Sequence, residues 1–372
     1  APRLPTSMRI LQLIPTLDRA GAEKQLCLLA AGLPRDEFEV HVCALTRGGP
    51  LAAELDAAGV PLRVIGKRWK VDPGAFWRLR EHIARLRPDL IHTWMFAANS
   101  YGMAAARSCG ITNVVIAQRC VDPWKNRLQL AVDRAMARRS RAVVVNSEGV
   151  KDFYVRHGTP SDRVRVIPNG VASPPPADTT RRQMLAELGL PEGSRIIGAV
   201  GRLWPQKRLK DAIWAAELLR VIRDDVHLLV IGDGPQRDLL RRYAHQVGVG
   251  KKVHFLGQRN DVARLLPHFD LLWSSSGYEG QSNAILEAMA AGIPIVATDI
   301  PGTRELVVPD VTGYLVPVGD RAALAKYAER LLNDAALAAR LGAAARERVD
   351  REFSVSAMID RHIALYRELL GR

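Results

Sequence analysis

DLLWSSSGYEGQSNAILEAMAAGIPIVATD, residues 270–299, reads in succession as strand, loop, helix and strand. Leu271, Leu272 and Trp273 form the end of a buried strand, and residues 274–277 a serine-rich loop. From Asn283 the run AILEAMAAG is rich in strong helix formers, and Gly292 followed by Pro294 closes it before the apolar IPIVAT. Short apolar strands joined through helices belong to parallel sheets covered on both faces. Two glutamates eight positions apart fall in this stretch, Glu279 in the loop and Glu287 one turn inside the helix. Between them the N–H groups of Gly280, Gln281, Ser282 and Asn283 lie at a helix start, where donors lack internal partners and the macrodipole is positive. That is a seat for a diphosphate. The loop carboxylate is then placed to accept from sugar hydroxyls and the helix carboxylate from ribose hydroxyls. An acidic loop beside an unrelated surface glutamate is the plain alternative.

Working outward, the same alternation fills the chain. MRILQLI (8–14), FEVHVCAL (38–45), PLRVI (61–65), DLIHT (89–93), NVVIA (113–117) and AVVVN (142–146) are apolar strand candidates. They are separated by helical runs such as AEKQLCLLAAGL, FWRLREHIARL and VKDFYVRHG. A second array follows with RIIGAVG (195–201), HLLVIG (227–232), KVHFLG (252–257) and the two strands of the opening stretch. Between the arrays, consecutive prolines at 174–176 continue neither regular element. The expected architecture is α/β, two doubly wound Rossmann-like domains. The first covers 8–172 with a terminal helix at about 353–372, the linker is 173–186, and the second domain is 187–352.

The stretch through Glu279, Gly280, Asn283, Leu286, Glu287, Ala288 and Met289, continuing with Gly292, Pro294, Ala297, Thr298 and Asp299, resembles the signature of the family four glycosyltransferases. Those are retaining, nucleotide-sugar-dependent enzymes of the GT-B fold. The resemblance implies two domains facing a central cleft, the donor mainly on the second and the acceptor on the first, with the C-terminal helix crossing back to the N-terminal domain. In AVGRLWPQKRLKDAI, Arg202 and Lys207 follow a buried strand that ends at Gly201. Ligands of open parallel sheets bind outside the carboxyl ends of strands. Cations there neutralise a departing diphosphate. A solvated loop is the ordinary reading of such a pair; the family carries an Arg and a Lys at these positions, which reverses it.

Other carry-overs are thinner. In PTLDRAGAEKQL the family often has two glycines; here only Gly21 is carried over as a donor contact, Ala20 being a departure. His92 closes the strand DLIHT and is a candidate catalytic residue, although a satisfied structural histidine is the commoner occupant of a strand end. Relatives place a second histidine two residues on, where this chain has Trp94. Arg119 and Asp122, in AQRCVDPW, are acceptor-contact candidates by position, with a salt-bridged loop as the alternative. Residues 257–260 match a base-contacting loop in which backbone groups of a residue such as Arg259 bind the nucleobase. Pro168, Asn169 and Gly170 match a hinge feature and read as structural.

The charge is uneven. Net charge is +14. Residues 1–172 carry 26 Lys and Arg against 15 Asp and Glu, and residues 173–372 carry 27 against 24. The excess is concentrated in GKRWKVDPGAFWRLREHIARLR and in WKNRLQLAVDRAMARRSRA, where Lys125, Arg127, Arg134, Arg138, Arg139 and Arg141 surround Trp124. Basic segments with an aromatic edge suit an anionic membrane surface, and a merely solvated basic face is the alternative. No nucleic-acid module accompanies the charge, so a nucleic-acid partner is not expected.

The four cysteines, Cys27, Cys43, Cys109 and Cys120, show neither a CxxC pair nor a histidine cluster, which favours free thiols in a reducing compartment. Met8 reads as the natural start, no secretory signal precedes it, and a cytoplasmic location is expected, with a peripheral membrane position compatible with it. The expected activity is transfer of a sugar from a nucleotide-diphosphate donor, UDP before GDP, to a glycan, lipid-linked or small-molecule acceptor, with retention. No Asp-x-Asp element occurs, so no metal and no cofactor is expected. A nucleotide-sugar 2-epimerase or hydrolase of the same fold, and a non-catalytic nucleotide-sugar or polyanion binding protein, are the alternatives.

Overall fold

The computed structural model describes residues 7–174 and 178–371. Two compact units result, one running to Gly170 and including the segment from Val355, the other Val171–Ser354. Unit 1 holds β1 (Met8–Ile14), β2 (Phe38–Ala44), β3 (Leu62–Val64), β4 (Leu90–Trp94), β5 (Val114–Gln118), β6 (Ala142–Val145) and β7 (Val164–Val166). They make one parallel sheet in the order β3-β2-β1-β4-β5-β6-β7. Unit 2 holds β8 (Arg195–Val200), β9 (Val226–Ile231), β10 (Val253–Gly257), β11 (Leu271–Ser274), β12 (Ile295–Thr298) and β13 (Gly313–Val316). Their order, again parallel, is β10-β9-β8-β11-β12-β13.

Each sheet is buried on both faces, which is why its strands read as continuous apolar runs. In β1, Ile10 and Ile14 enter the core on one face while Leu11 and Leu13 enter the core on the other. In β8, Ile197 and Ala199 face one way and Ile196 the other. Both sheets reverse direction of growth beside their first strand, between β1 and β4 and between β8 and β11. These are the places where open α/β sheets bind ligands.

The terminal helix Val355–Leu370 returns to unit 1, as the resemblance implied. Met358, Leu365, Tyr366 and Leu369 join the core beneath β1 and β4. Gly32 of the helix Gly21–Gly32 admits Ile359 so closely that a Cβ there would lie 2.2 Å from its Cδ1. Polar contacts lock the same seam: Trp94 Nε1–H donates to Gln12 Oε1 at 2.8 Å, and Gln12 Nε2 donates to the Tyr366 hydroxyl at 2.9 Å.

Two expectations need correction. Residues 181–186 were placed in the linker, but Arg181–Glu187 is a helix capped by Thr180, and its Met184 and Leu185 enter the unit 2 core. Pro175 and Pro176 of the proline run lie outside the described residues. Lys125 was counted with the solvated basic face, but it is buried, held by Asp122 and Asp133 at 2.9 Å each and by the Tyr154 hydroxyl at 2.8 Å. All four cysteines are free thiols; Cys27 and Cys43 are buried, and burial pushes each pKa up to about 12.

Candidate active site

The unit 2 site grows from the ends of β8 and β11, which are neighbours across the reversal. β8 is followed by Gly201 at φ 148°, and β9 by Gly232 at φ 137°. Neither position suits a side chain, for steric as well as torsional reasons. A Cβ on Gly232 would lie 2.0 Å from the Gly201 carbonyl oxygen, and one on Gly201 would lie 3.2 Å from Lys207 Cε. The two loops are then zipped together by Gly201 N–H to Ile231 O at 2.9 Å and Leu203 N–H to Asp233 O at 3.0 Å.

Pro205–Lys207 makes one 3-10 turn, after which Arg208 takes a left-handed conformation at φ 48°. A non-glycine residue in that region stores strain and is held only by its surroundings. Those surroundings are visible. Ser275 Oγ donates to the Lys207 carbonyl at 2.8 Å, Gly277 N–H donates to Gln206 O at 2.8 Å, and Arg208 Nε donates to Asp211 at 2.7 Å. The Lys207 ammonium is thereby delivered to the Glu279 carboxylate, which it contacts directly, and Ser276 Oγ donates to the same carboxylate oxygen at 2.7 Å. Glu279 is buried and Lys207 half-buried. An ammonium has three N–H donors, so contact with Glu279 leaves capacity for phosphate oxygens.

The helix begins at Asn283 and runs to Ala290, with Ser282 as its N-cap, accepting from Ile285 N–H at 3.5 Å. Ile285, Leu286, Ala288, Met289 and Ala290 are buried, which fixes the helix against the sheet. Glu287, one turn in, is half-buried. Gly280, Gln281 and Ser282 are buried at the approach to the helix, and the loop is pinned from behind because Gly302 packs on the Gly280 carbonyl. Gly201, Lys207, Ser275, Ser276 and Ala284 line one small pocket.

Of the residues expected from sequence, Lys207 and Glu279 are in contact, Gly280–Asn283 form the loop and helix start beside them, and Glu287 follows on the same helix. Arg202 is exposed on the β8 loop, its guanidinium 5.6 Å from the Trp204 ring, and forms no ion pair among the described residues. Arg259 is committed elsewhere: its guanidinium bonds Asp261 at 2.6 and 2.8 Å and Glu187 at 3.0 Å. Sequence reasoning missed Ser275, Ser276 and Gly232. A run of three serines straight after a buried strand was the available signal for the first two.

Unit 1 separates its candidates. Gly21 is the first residue of its helix, whose N-cap Ala20 supplies no side-chain cap. Asp122 takes the salt-bridged arrangement that was its alternative reading: its Oδ2 pairs with the buried Lys125 and accepts from the Tyr154 hydroxyl at 2.9 Å. His92 is corrected as an acid–base catalyst. It is fully buried, stacked on Trp94 at 4.9 Å, and burial, with His362 and Arg119 adjoining, holds its pKa well below 6.5. Arg119 follows β5, lies 4.8 Å over the Trp94 ring, and donates to Asn169 Oδ1.

The family model Glycosyltransferase Family 4 matches residues 19–173, and the model Glycosyl transferases group 1 matches residues 180–348. N-acetyl-alpha-D-glucosaminyl L-malate synthase of Bacillus anthracis is 32% identical over 188 residues, 50% of this chain and 49% of that protein, so the match spans about half of the relative's length. UDP-Gal:alpha-D-GlcNAc-diphosphoundecaprenol alpha-1,3-galactosyltransferase of Escherichia coli is 26% identical over 382 residues, 96% of each chain. Anabaena Alr3699/HepE, solved with UDP-glucose, superimposes with a TM-score of 0.86 at 23% identity, covering 97% of this chain and 100% of that one. That likeness speaks to the fold, which is GT-B.

Proposed function

Because the chain belongs to the family 4 and group 1 glycosyltransferases, we propose that it moves a hexose from a nucleotide-diphosphate donor, a UDP-sugar, to a hydroxyl acceptor with retention of anomeric configuration. The observation that carries this reading is the Lys207–Glu279–Ser276 contact beside the helix start at Asn283. The diphosphate sits on the helix start with Lys207 and Arg202 as counter-charges. Glu279 accepts from the sugar hydroxyls and Glu287 from the ribose, while the base meets the backbone of residues 257–260. In the reaction the bond from the anomeric carbon to the diphosphate oxygen breaks. The acceptor oxygen bonds to the same face of that carbon, and its proton passes to the departing diphosphate. Lys207 and Arg202 stabilise the charge that grows on the leaving group, the role that preorganised donors serve best. The transfer proceeds without a divalent cation.

Support for UDP comes from two directions: the galactosyltransferase relative is named for a UDP-Gal donor, and the superimposable structure holds UDP-glucose. A thermal-shift panel of UDP, GDP and their sugars tests it, because a ligand that binds the native state raises apparent stability. UDP-sugars are expected to stabilise unit 2 most, and donor consumption with a hydroxyl acceptor is expected to persist in EDTA. Loss of turnover on chelation, restored by Mg2+ or Mn2+, removes the metal-free mechanism. Release of free sugar that no acceptor accelerates favours a hydrolase.

The acceptor is presented by unit 1, and a glycan or lipid-linked acceptor fits its surface. Trp69, Trp77 and Trp124 are 67%, 60% and 61% exposed. All three lie in or just after loops leaving the carboxyl ends of β3 and β5, among the exposed Arg68, Lys70, Arg78 and Arg127. Aromatic side chains with flanking cations are suited to an anionic lipid surface, where each charge contributes about 1 kcal/mol. Co-sedimentation is expected with phosphatidylglycerol vesicles, to fall with salt, and to weaken in a Trp69→Ser/Trp124→Ser chain. Equal partition onto phosphatidylcholine vesicles defeats the proposal. No helix among the described residues is long and apolar enough to cross a membrane.

A further inference from the structure

The carboxyl ends of β4, β5 and β6 bring together polar groups that the transfer chemistry above does not use. Arg119 follows β5 and Asn146 follows β6, with Asn146 Nδ2 donating to the Arg119 carbonyl at 3.1 Å. Arg119 is partly exposed as a residue, yet its Nε and Nη1 are buried and have no hydrogen-bond partner, and no carboxylate pairs with it among the described residues. Burial pulls its pKa down to about 9, which leaves it charged at neutral pH. A buried guanidinium without an anion is costly, and the surroundings fix it in place: Trp94 lies beneath it and Asn169 Oδ1 accepts from Nη2.

His92 adds a second donor, and hydrogen-bond logic settles its tautomer. Trp94 Nε1–H can only donate, so Gln12 Oε1 accepts and Gln12 Nε2 must donate to the Tyr366 oxygen. The Tyr366 proton then goes to His92 Nδ1, 2.7 Å away. The His92 proton therefore sits on Nε2, which is buried without a partner. On the terminal helix, His362 Nδ1 donates to the Met358 carbonyl at 2.8 Å, which leaves its buried Nε2 as an acceptor, also without a partner. The two imidazole rings are 5.7 Å apart.

We propose that Arg119, with His92 Nε2–H beside it, forms a subsite for an anionic group on the acceptor, a carboxylate or a phosphate. The proposal rests on the glycosyl-transfer reading and deepens it by naming the chemistry of the acceptor. The anion accepts from Arg119 Nε or Nη1 and from His92, and the His362 lone pair takes an adjoining hydroxyl. Such charge-assisted bonds are short and strong, and a guanidinium without an anionic partner is the group that gains most from them.

Calorimetric or thermal-shift titration of the full chain with orthophosphate, malonate and chloride at matched ionic strength tests the subsite, with UDP titrated in parallel. Orthophosphate or malonate is expected to bind saturably where chloride does not, and the tighter of the two assigns the acceptor as phosphoryl or carboxylate. Arg119→Gln is expected to weaken that anion by about 10- to 100-fold while UDP binding persists. Arg119→Lys, which keeps the charge and loses the guanidinium, is expected to weaken it by at least about 5-fold, and supplies the comparison if the glutamine variant does not fold. Anion binding equal to chloride in the wild-type chain, or unchanged in both variants, overturns the subsite. Loss of UDP binding by the wild-type chain instead overturns the transfer reading.

Discussion

Lys207→Ala is expected to lower turnover by about 10²–10³-fold, the cost of removing one preorganised stabiliser of transition-state charge. The expectation follows from where the ammonium is held. Its backbone carbonyl is pinned by Ser275, its stem lies against Gly201, and its head meets Glu279. Alanine leaves the loop in place, because Ser275 and Gly277 grip backbone atoms of residues 206–208 rather than the side chain. Some stability is lost as well, because the buried Glu279 carboxylate gives up its cation and keeps only the Ser276 bond. Steady-state kinetics with a UDP-sugar, beside thermal unfolding of the same preparation, separates the two effects. A kcat within a few-fold of wild type, with normal unfolding, rejects Lys207 as the stabiliser of the leaving group.

Gly232→Ala should act on the same site from a strand away, and on stability as well. Its Cβ would meet the Gly201 carbonyl oxygen at 2.0 Å, a backbone atom that cannot rotate aside, and the alanine would sit at φ 137°. Overpacking and torsional strain together cost about 3 kcal/mol, which lowers Tm by roughly 10 °C for a unit of this size. The β8 loop must move to relieve the clash, carrying Arg202 and the seat of Lys207 with it, so donor KM rises. Gly257→Ala is the control. Gly257 also has positive φ, at 69°, but a Cβ there meets nothing within 4 Å, so only the torsional penalty of about 1 kcal/mol applies. Equal stability of the two variants would show that the approach of Gly232 to Gly201 is not a constraint.

The doubly wound architecture was legible because strands buried on both faces leave uninterrupted apolar runs, and nearly every such run is a strand. The short β7 and β13 escaped for the complementary reason. Val164–Val166 carries an arginine in a three-residue strand, and Gly313–Val316 opens on a glycine. In the site, Lys207 and Glu279 were named from separate loops, but their contact was not visible, since 72 positions separate them and a neighbouring strand end brings them together. Lys125 was misread, whereas Asp122 sits in the salt-bridged loop that was its alternative reading. For the lysine, charge at a loop suggested solvent, whereas Asp122, Asp133 and the Tyr154 hydroxyl take its ammonium, and Gln118 holds the other oxygen of Asp133. For His92 the commoner reading, a satisfied strand-end histidine, holds at Nδ1, whose partner Tyr366 lies 274 residues away and was not visible in the sequence.

That long reach has a consequence for biosynthesis. Unit 2 is a single uninterrupted segment, Val171–Ser354, whereas unit 1 needs Val355–Leu370 to cover β1 and β4 and to give Gln12 and His92 their tyrosine. On the ribosome, unit 1 therefore starts to emerge before unit 2 and is completed only after it: its sheet emerges with Ile10, Ile14 and Leu90 uncovered, and waits for the segment from Val355. A nascent chain arrested before Val355 would carry a completed unit 2 behind an unsealed, aggregation-prone unit 1.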